Sequence, residues 1–417
     1  MVPIPDGWST MTSIDKTLHH NLRRVFRLGV GADSLARFEP AIIRNLKVYF
    51  SQLTKVVDQE GWSPSADMRK WNLYLGFDTM AEFGLGLKTD LLRSPAREFV
   101  FPALHVHEKK MGLWEQLPLL NDLGLGNMAS RLLLHISPNA KLFAKWYQAF
   151  LDQAITNNTK ESRGIFGPVI QSGKGVLDKP GHNQAQMIGE GAFSTFSSAD
   201  AYSIMLSGFL HYLSHYPYVY EKLATEMRDT FQPGEEIIWD SKLESSLYLR
   251  AVMDEVMRLL PPACGVHWRE CEREGVAVGP DEFLLPVGCD IGMSLFSIFR
   301  DGRIFRDPIR FWPERWMSGT LPEAELTLAK KMFTPFLLGP RNCAGSHVAI
   351  RIAGIAFAYV LVNYDFQLAP ERLSASPRIW PSEPQETGAG SDLTFESHYS
   401  IAGWENGPFI KFRARAC

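Results

Sequence analysis

Residues 333–354 read FTPFLLGPRNCAGSHVAIRIAG, and the single thiol of this stretch, Cys343, decides how the chain is read. It stands between Arg341 and Gly345, just ahead of the apolar run SHVAIRIAGIAFAYVLV (residues 346–362), whose pattern predicts a helix. A helix N-terminus stabilises a thiolate, the form in which cysteine binds metals. Gly339 and Gly345 have no side chain, so a flat ligand can lie against the backbone there. Phe336 is placed to cover the sulfur from water, and Arg341 to meet an anionic edge of such a ligand. A cysteine near a helix start is, on its own, most often a small buried residue. The full spacing F-x-x-G-x-R-x-C-x-G, Phe336 through Gly345, is far more specific.

This loop closely resembles the haem-binding loop of the cytochrome P450 family. The resemblance implies haem b, iron protoporphyrin IX, with Cys343 as the axial ligand of its iron; a thiolate there favours O–O cleavage. Two more motifs stand upstream in the family's order. DEVMRLLPP contains Glu255 and Arg258, and FWPERW supplies Arg315, resembling the family's F-x-P-E-R pattern. A Glu–Arg pair at i,i+3 is ordinarily a solvated surface pair of small value. In the family the pair is buried and locks to the Arg before the Cys loop, a network costly to break. Arg269, in VHWRE, falls where the family places an Arg on a haem propionate. LHHNLRR offers H-x-x-x-R twice, as His19 with Arg23 and as His20 with Arg24, each pair on one helical face. The resemblance favours His19 and Arg23 as the propionate pair; a plain basic surface helix is the alternative.

The family's distal helix carries an acid followed by Thr. Counting back from Pro217, SSADAYS (residues 197–203) fills that place, with Asp200 as the acid and Ala201 where Thr is expected. Proton-transfer groups typically contribute roughly 10²–10⁴-fold, and Ala201 cannot take part. Ser198 or Ser203 is left to hold a water. Two readings follow: a monooxygenase with a water-relayed or less proton-dependent route, or a haem-binding relative with atypical or lost oxygenase activity.

The rest of the chain is consistent with the first reading. Its 417 residues are 45% hydrophobic, ample for a large core, and the formal charge of −3 argues against nucleic-acid binding. Five cysteines without CxxC spacing are neither a disulfide framework nor a zinc site, which suggests a reduced, intracellular chain. The N-terminus lacks a signal-peptide pattern, and no apolar run reads as a membrane span, AYSIMLSGFLHYL being the best candidate. Zinc on His211 and His215, or near His105 and His107, is disfavoured because H-E-x-x-H is missing. GLGNMA (Gly124 to Ala129) follows no strand pattern, so it is no dinucleotide loop.

Most of the first 260 residues predict helices, including one over about Met187–His215 that stops before Pro217. GVAVG and EFLLPVG predict short strands, and ESHYSIAGW with GPFIKFRAR predicts a hairpin turning at Glu405–Gly407. The expected fold is mainly α with small β sheets in one domain, residues 1–417: a cytochrome P450-like fold without the family's usual N-terminal anchor and first sheet strands. The resemblance implies insertion of one oxygen atom of O2 into a small apolar molecule, in fungal secondary-metabolite tailoring. Electrons would come from NADPH through a separate reductase, with Lys330 and Lys331 available to dock it. Family members usually sit at the endoplasmic reticulum membrane. Candidate pocket-lining residues are Phe193, Phe196, Val266 and Tyr399.

Overall fold

The computed structural model describes residues 9–94, 98–104, 137–157, 184–232, 234–279, 282–369, 397–398, 401–402 and 407–415, with residues 125 and 164 singly. In chain order its helices are α1 (Lys16–Gly29), α2 (Ala32–Leu53), α3 (Met68–Leu85), α4 (Pro138–Asn157), α5 (Gln184–His215), α6 (Pro217–Thr230), α7 (Ser241–Glu244), α8 (Leu247–Leu259), α9 (Leu295–Ile298), α10 (Glu323–Met332) and α11 (Ser346–Asn363). Local chemistry sets several ends. The Asp15 side chain accepts from Leu18 N and caps α1, and Asp67 accepts from Arg69 N and Lys70 N at the start of α3. Gly86 closes α3 with φ 68°, a left-handed value that suits glycine. Pro217 separates α5 from α6.

The long helix α5 is packed on three sides. Against α3 the backbones nearly touch: a Cβ on Gly76 would sit 2.5 Å from Ala199 O, and one on Gly84 would sit 3.0 Å from Gly191 O. Polar side chains stitch the seam, with Asn72 Nδ2 donating to Ser207 Oγ at 2.9 Å and Tyr49 OH to Asn72 Oδ1 at 2.6 Å. Further along, α5 meets α8 and α11. Gly208 faces Val256 and Leu260, and Phe209 stacks on Phe357 with ring centroids 3.8 Å apart. Because the obstacle at Gly76 is backbone, Gly76→Ala should destabilise by about 1–3 kcal/mol, the usual cost of overpacking. A urea midpoint equal to that of the parent protein would contradict this close approach.

Helix α11 has 18 residues of mean hydropathy 1.5, long and apolar enough by composition to cross a membrane, yet 61% of it is buried inside the protein. It outranks AYSIMLSGFLHYL as an apolar helix because its Gly and Ala residues are interleaved with Ile, Val and Phe, which suits a packed interior equally well.

Four small sheets complete the described fold. β1 (Ala66–Asp67), β9 (Phe409–Ala414) and β6 (Tyr364–Leu368) form one in the order β1-β9-β6. β2 (Arg269–Glu270) pairs with β5 (Asp290–Ile291), β3 (Val276–Val278) with β4 (Phe283–Leu285), and β7 (Ser397–His398) with β8 (Ile401–Ala402). The C-terminal hairpin expected from the sequence is therefore not the pairing formed. β9 takes β6 and β1 as partners because Ile410 and Phe412 turn inward and Phe412 sits opposite Phe366 across the ladder. Glu405 and Asn406 of the expected turn lie outside the described residues.

Candidate functional site

Cys343 sits in a loop held by its own backbone. Cys343 N donates to Phe336 O at 2.8 Å, Asn342 N to Gly339 O at 3.1 Å and Leu337 N to Thr334 O at 2.9 Å. Gly339 has φ 77°, and a Cβ there or on Gly345 would meet nothing within 4 Å, so both face open space. Gly345 is the N-cap of α11, and its N–H points at the Cys343 sulfur. Cys343 is exposed, whereas Phe336 is half-buried against the main core. Protein nevertheless crowds the sulfur: desolvation pushes its thiol up, against the downward pull of Gly345 N–H and Arg23. The resting group is a thiol that a bound metal cation would deprotonate.

Helix α1 packs against this loop and supplies cations. Arg23 donates from Nη1 to Asn342 O at 2.6 Å and from Nη2 to Asn342 Oδ1. Arg341 reaches back to Ser13 O at 2.7 Å and Ile14 O at 3.3 Å. His19 is buried; desolvation, then Arg341 and Arg23, lower its pKa, so it is neutral at pH 7. His20 and Arg24 point to solvent. Of the two H-x-x-x-R pairs, the structure turns His19 and Arg23 inward. Arg269 is exposed on β2, and its guanidinium donates to Trp268 O at 2.7 Å.

The structure brings Glu255, Arg258 and Arg315 into one fully buried cluster. Arg258 grips the Glu255 carboxylate through Nε and Nη2, both at 2.9 Å, and Arg315 Nε donates to it at 3.0 Å. Trp312 N and Trp316 Nε1 complete the shell at 2.9 and 3.0 Å. The other guanidinium donors are met by the carbonyls of Phe299, Pro308, Arg310, Arg306 and Asp307. Burial pushes the Glu255 carboxyl up, but the two arginines overcome it and hold it below the usual carboxylate range. The cluster fixes the irregular stretch 299–316 between α8 and α10.

On α5, Asp200 accepts from Arg69 Nη2 at 2.7 Å, an ion pair whose side chains are 14% and 3% exposed, which ties its carboxylate to α3. Ser203, fully buried, is drawn the same way, accepting from Arg69 Nη1 at 3.0 Å. Ser197 is exposed and Ser194, Ser198 and Ala201 are half-buried, at i, i+3, i+4 and i+7, with Phe193, Phe196 and Asp200 half-buried beside them. Ser197 Oγ donates to Phe193 O at 3.0 Å. Phe196, half-buried, packs edge-on against Phe77 and Tyr147, with centroids 4.9 and 4.8 Å away. Phe193 is half-buried, Val266 bridges to Ser294, and Tyr399 lies outside the described residues.

Sequence reasoning missed Arg69, Asn342 and Glu190. Glu190, on α5, accepts from Thr10 N and from Thr10 Oγ1 (2.6 Å), and burial pushes its carboxyl up to about 7. None of these contacts has a sequence signature, because the partners are remote in the chain. His211 is buried and His215 half-buried, with ring centroids 4.4 Å apart, and among the described residues no group of three or more His, Cys, Asp or Glu could hold a metal. His105, His107 and most of Gly124–Ala129 lie outside the described residues. The described donor set thus suits a metal that brings most of its own ligands. A single sulfur beside an open glycine face, with His19, Arg23 and Arg341 close by, fits a flat metal complex bearing carboxylates.

Comparison with known proteins agrees. A family model described as Cytochrome P450 matches residues 192–382, the span holding Glu255, Arg258, Arg315 and Cys343. The chain is 26% identical to cytochrome P450 monooxygenase apf7 of Gibberella fujikuroi, over 99% of this chain and 79% of that protein. It is 25% identical to a cytochrome P450 monooxygenase of Gibberella zeae, over 98% and 92%. It is also 26% identical to cytochrome P450 monooxygenase apf8 of Gibberella fujikuroi, over 91% and 99%. Among solved structures, retinoic acid bound cyanobacterial CYP120A1 superposes with a TM-score of 0.68 at 17% identity, over 99% of this chain and 82% of that one.

Proposed function

The chain belongs to the cytochrome P450 family, and from that premise we propose that it is a monooxygenase inserting one oxygen atom into a small apolar molecule in fungal secondary metabolism. The observation that carries the reading is Cys343 in its glycine-flanked loop at the start of α11, made rigid from the α8 side by the Glu255 cluster. Bound haem b supplies the reductive activation of dioxygen. Each other task falls to a named group of this chain. Cys343 would hold the haem iron through its thiolate, with Gly345 N–H and Arg23 placed to steady the negative charge. Arg23, Arg341 and neutral His19 would hold the propionates, with Arg269, which here donates to Trp268 O, as a further cation. Phe336 shields the sulfur from water. On α5, the hydroxyls of Ser197 and Ser198 hold water and hand on protons where Ala201 has none. Electrons come from NADPH through a separate reductase, for which Lys330 and Lys331 stand exposed at the end of α10.

The test is a carbon-monoxide difference spectrum of the dithionite-reduced protein expressed with ample porphyrin. The band typical of thiolate ligation is expected, and Cys343→Ala should abolish it. Colourless protein, or a band retained by the variant, overturns the ligand assignment. The Arg69–Asp200 ion pair favours a second reading, haem binding with atypical or lost turnover, since the acid beside Ala201 is engaged elsewhere. Substrate-dependent NADPH consumption with reductase supplied separates the two, because a pure binder shows none.

A further inference from the structure

Two thiols face each other outside the site just described. β2 and β5 run antiparallel with Arg269 opposite Ile291 and Glu270 opposite Asp290. The next rung sets Cys271 against Cys289: Cys271 N donates to Cys289 O at 2.9 Å, and Gly288 N donates to Cys271 O at 2.8 Å. Gly288, at φ 83°, is the extra residue of a bulge that leaves Cys289 as the direct partner of Cys271. Hydrogen-bonded partners across an antiparallel pair have Cα atoms about 5.5 Å apart and side chains on one face. Disulfides form most often at Cα separations of about 5.5–6 Å.

The two thiols are electrostatic neighbours: Cys271 Sγ donates to Arg273 O at 3.3 Å and to Leu285 O at 3.9 Å, and its proximity, after burial, raises the pKa of Cys289. Cys271 is buried and Cys289 half-exposed, so one thiol is open to an incoming reagent and the other waits behind it. Two sulfurs are too few for a metal site, and no third donor completes one among the described residues.

We propose that Cys271 and Cys289 are a site of reversible thiol oxidation, closed to a disulfide by exchange with a small-molecule disulfide of the oxidised-glutathione class. The Cys289 thiolate attacks one sulfur of oxidised glutathione, making a mixed disulfide and expelling one glutathione thiolate. The Cys271 thiolate then attacks the Cys289 sulfur, closes the protein disulfide and expels the second. Two protein thiols lose two protons and two electrons, and one glutathione disulfide becomes two glutathione thiols; excess reduced glutathione runs the steps backwards. Burial and then the neighbouring Cys271 hold the Cys289 thiol above its ordinary range, so closure accelerates as pH rises and the thiolate fraction grows. The bond would clamp β2 to β5 two residues from Arg269. The inference does not depend on haem binding.

The experiment uses the full chain, with its fold checked by circular dichroism. After incubation in oxidised glutathione it is acid-quenched, alkylated and digested with trypsin. The expected product is peptide 270–273 joined to peptide 274–300, lost on reduction, with Cys264 and Cys343 alkylated. Two thiols disappear from this pair in the parent protein and none in Cys289→Ser, while Cys264→Ser leaves the link intact. Full alkylation of Cys271 and Cys289 in the folded, oxidant-treated parent overturns the proposal. So does a glutathione adduct on Cys289 that never resolves onto Cys271.

Discussion

Glu255→Gln lowers the stability of the protein by about 3–5 kcal/mol, the range for removing one partner of a buried ion pair. The substitution keeps the shape of the side chain but leaves Arg258 and Arg315, both fully buried, without the charge that neutralises them. It also replaces one of two accepting oxygens, which together take five donors, with an amide that itself donates. All three side chains are fully buried, so bulk water is not at hand to replace the lost charge. Trp312 and Trp316 lie in its shell, so their fluorescence reports its collapse directly. Glu98→Gln is the control, because the Glu98–Lys70 pair is largely solvated and its loss should stay within about 0.5 kcal/mol. Equal urea midpoints for the two variants would remove the case for the cluster as a structural anchor.

The second large effect concerns pH. Burial raises the folded-state pKa of Glu190 to about 7 from an ordinary value of 4.5, against the opposing pull of two hydrogen bonds from Thr10. Between these values the folded chain binds a proton that the unfolded chain has released, so stability falls as pH rises through this window. The loss is complete above pH 7 and amounts to roughly 3 kcal/mol, at 1.36 kcal/mol per unit. Glu190→Gln is neutral throughout, so it should match the parent below pH 4.5 and exceed it by nearly that amount at pH 8. Urea midpoints across pH 4–8 check this; parallel curves for parent and variant would show that the carboxyl does not titrate near 7.

What could be read in advance was what depends on short spacing. Glu255 and Arg258 one turn apart, the P-E-R of residues 313–315 and the ten residues from Phe336 to Gly345 each define their own geometry. Asp200 was legible as an acid at the expected place in α5, but not in its orientation. Its neighbour is Arg69 on another helix, and no periodicity tells which face of a helix buried on several sides meets which partner. Phe196 was ambiguous for the same reason: an aromatic on α5 suits a pocket or the cluster with Phe77 and Tyr147, and sequence does not show its packing against those rings. The C-terminal hairpin failed because two alternating strands near in sequence look paired, whereas β9 finds Phe366 on a strand further back. The facing of Cys271 and Cys289 needs a strand register and a bulge, neither of which composition reveals.

The contact of Gly76 with the Ala199 backbone has a consequence for how the molecule can change shape. Where main chains meet with no side chain between them, neither element can slide past the other without a steric barrier at every step, so shear along this pair is blocked. Helices α3 and α5 travel as one rigid blade. Any opening that admits a bulky guest must therefore hinge in other segments, leaving this blade as the fixed wall against which they close.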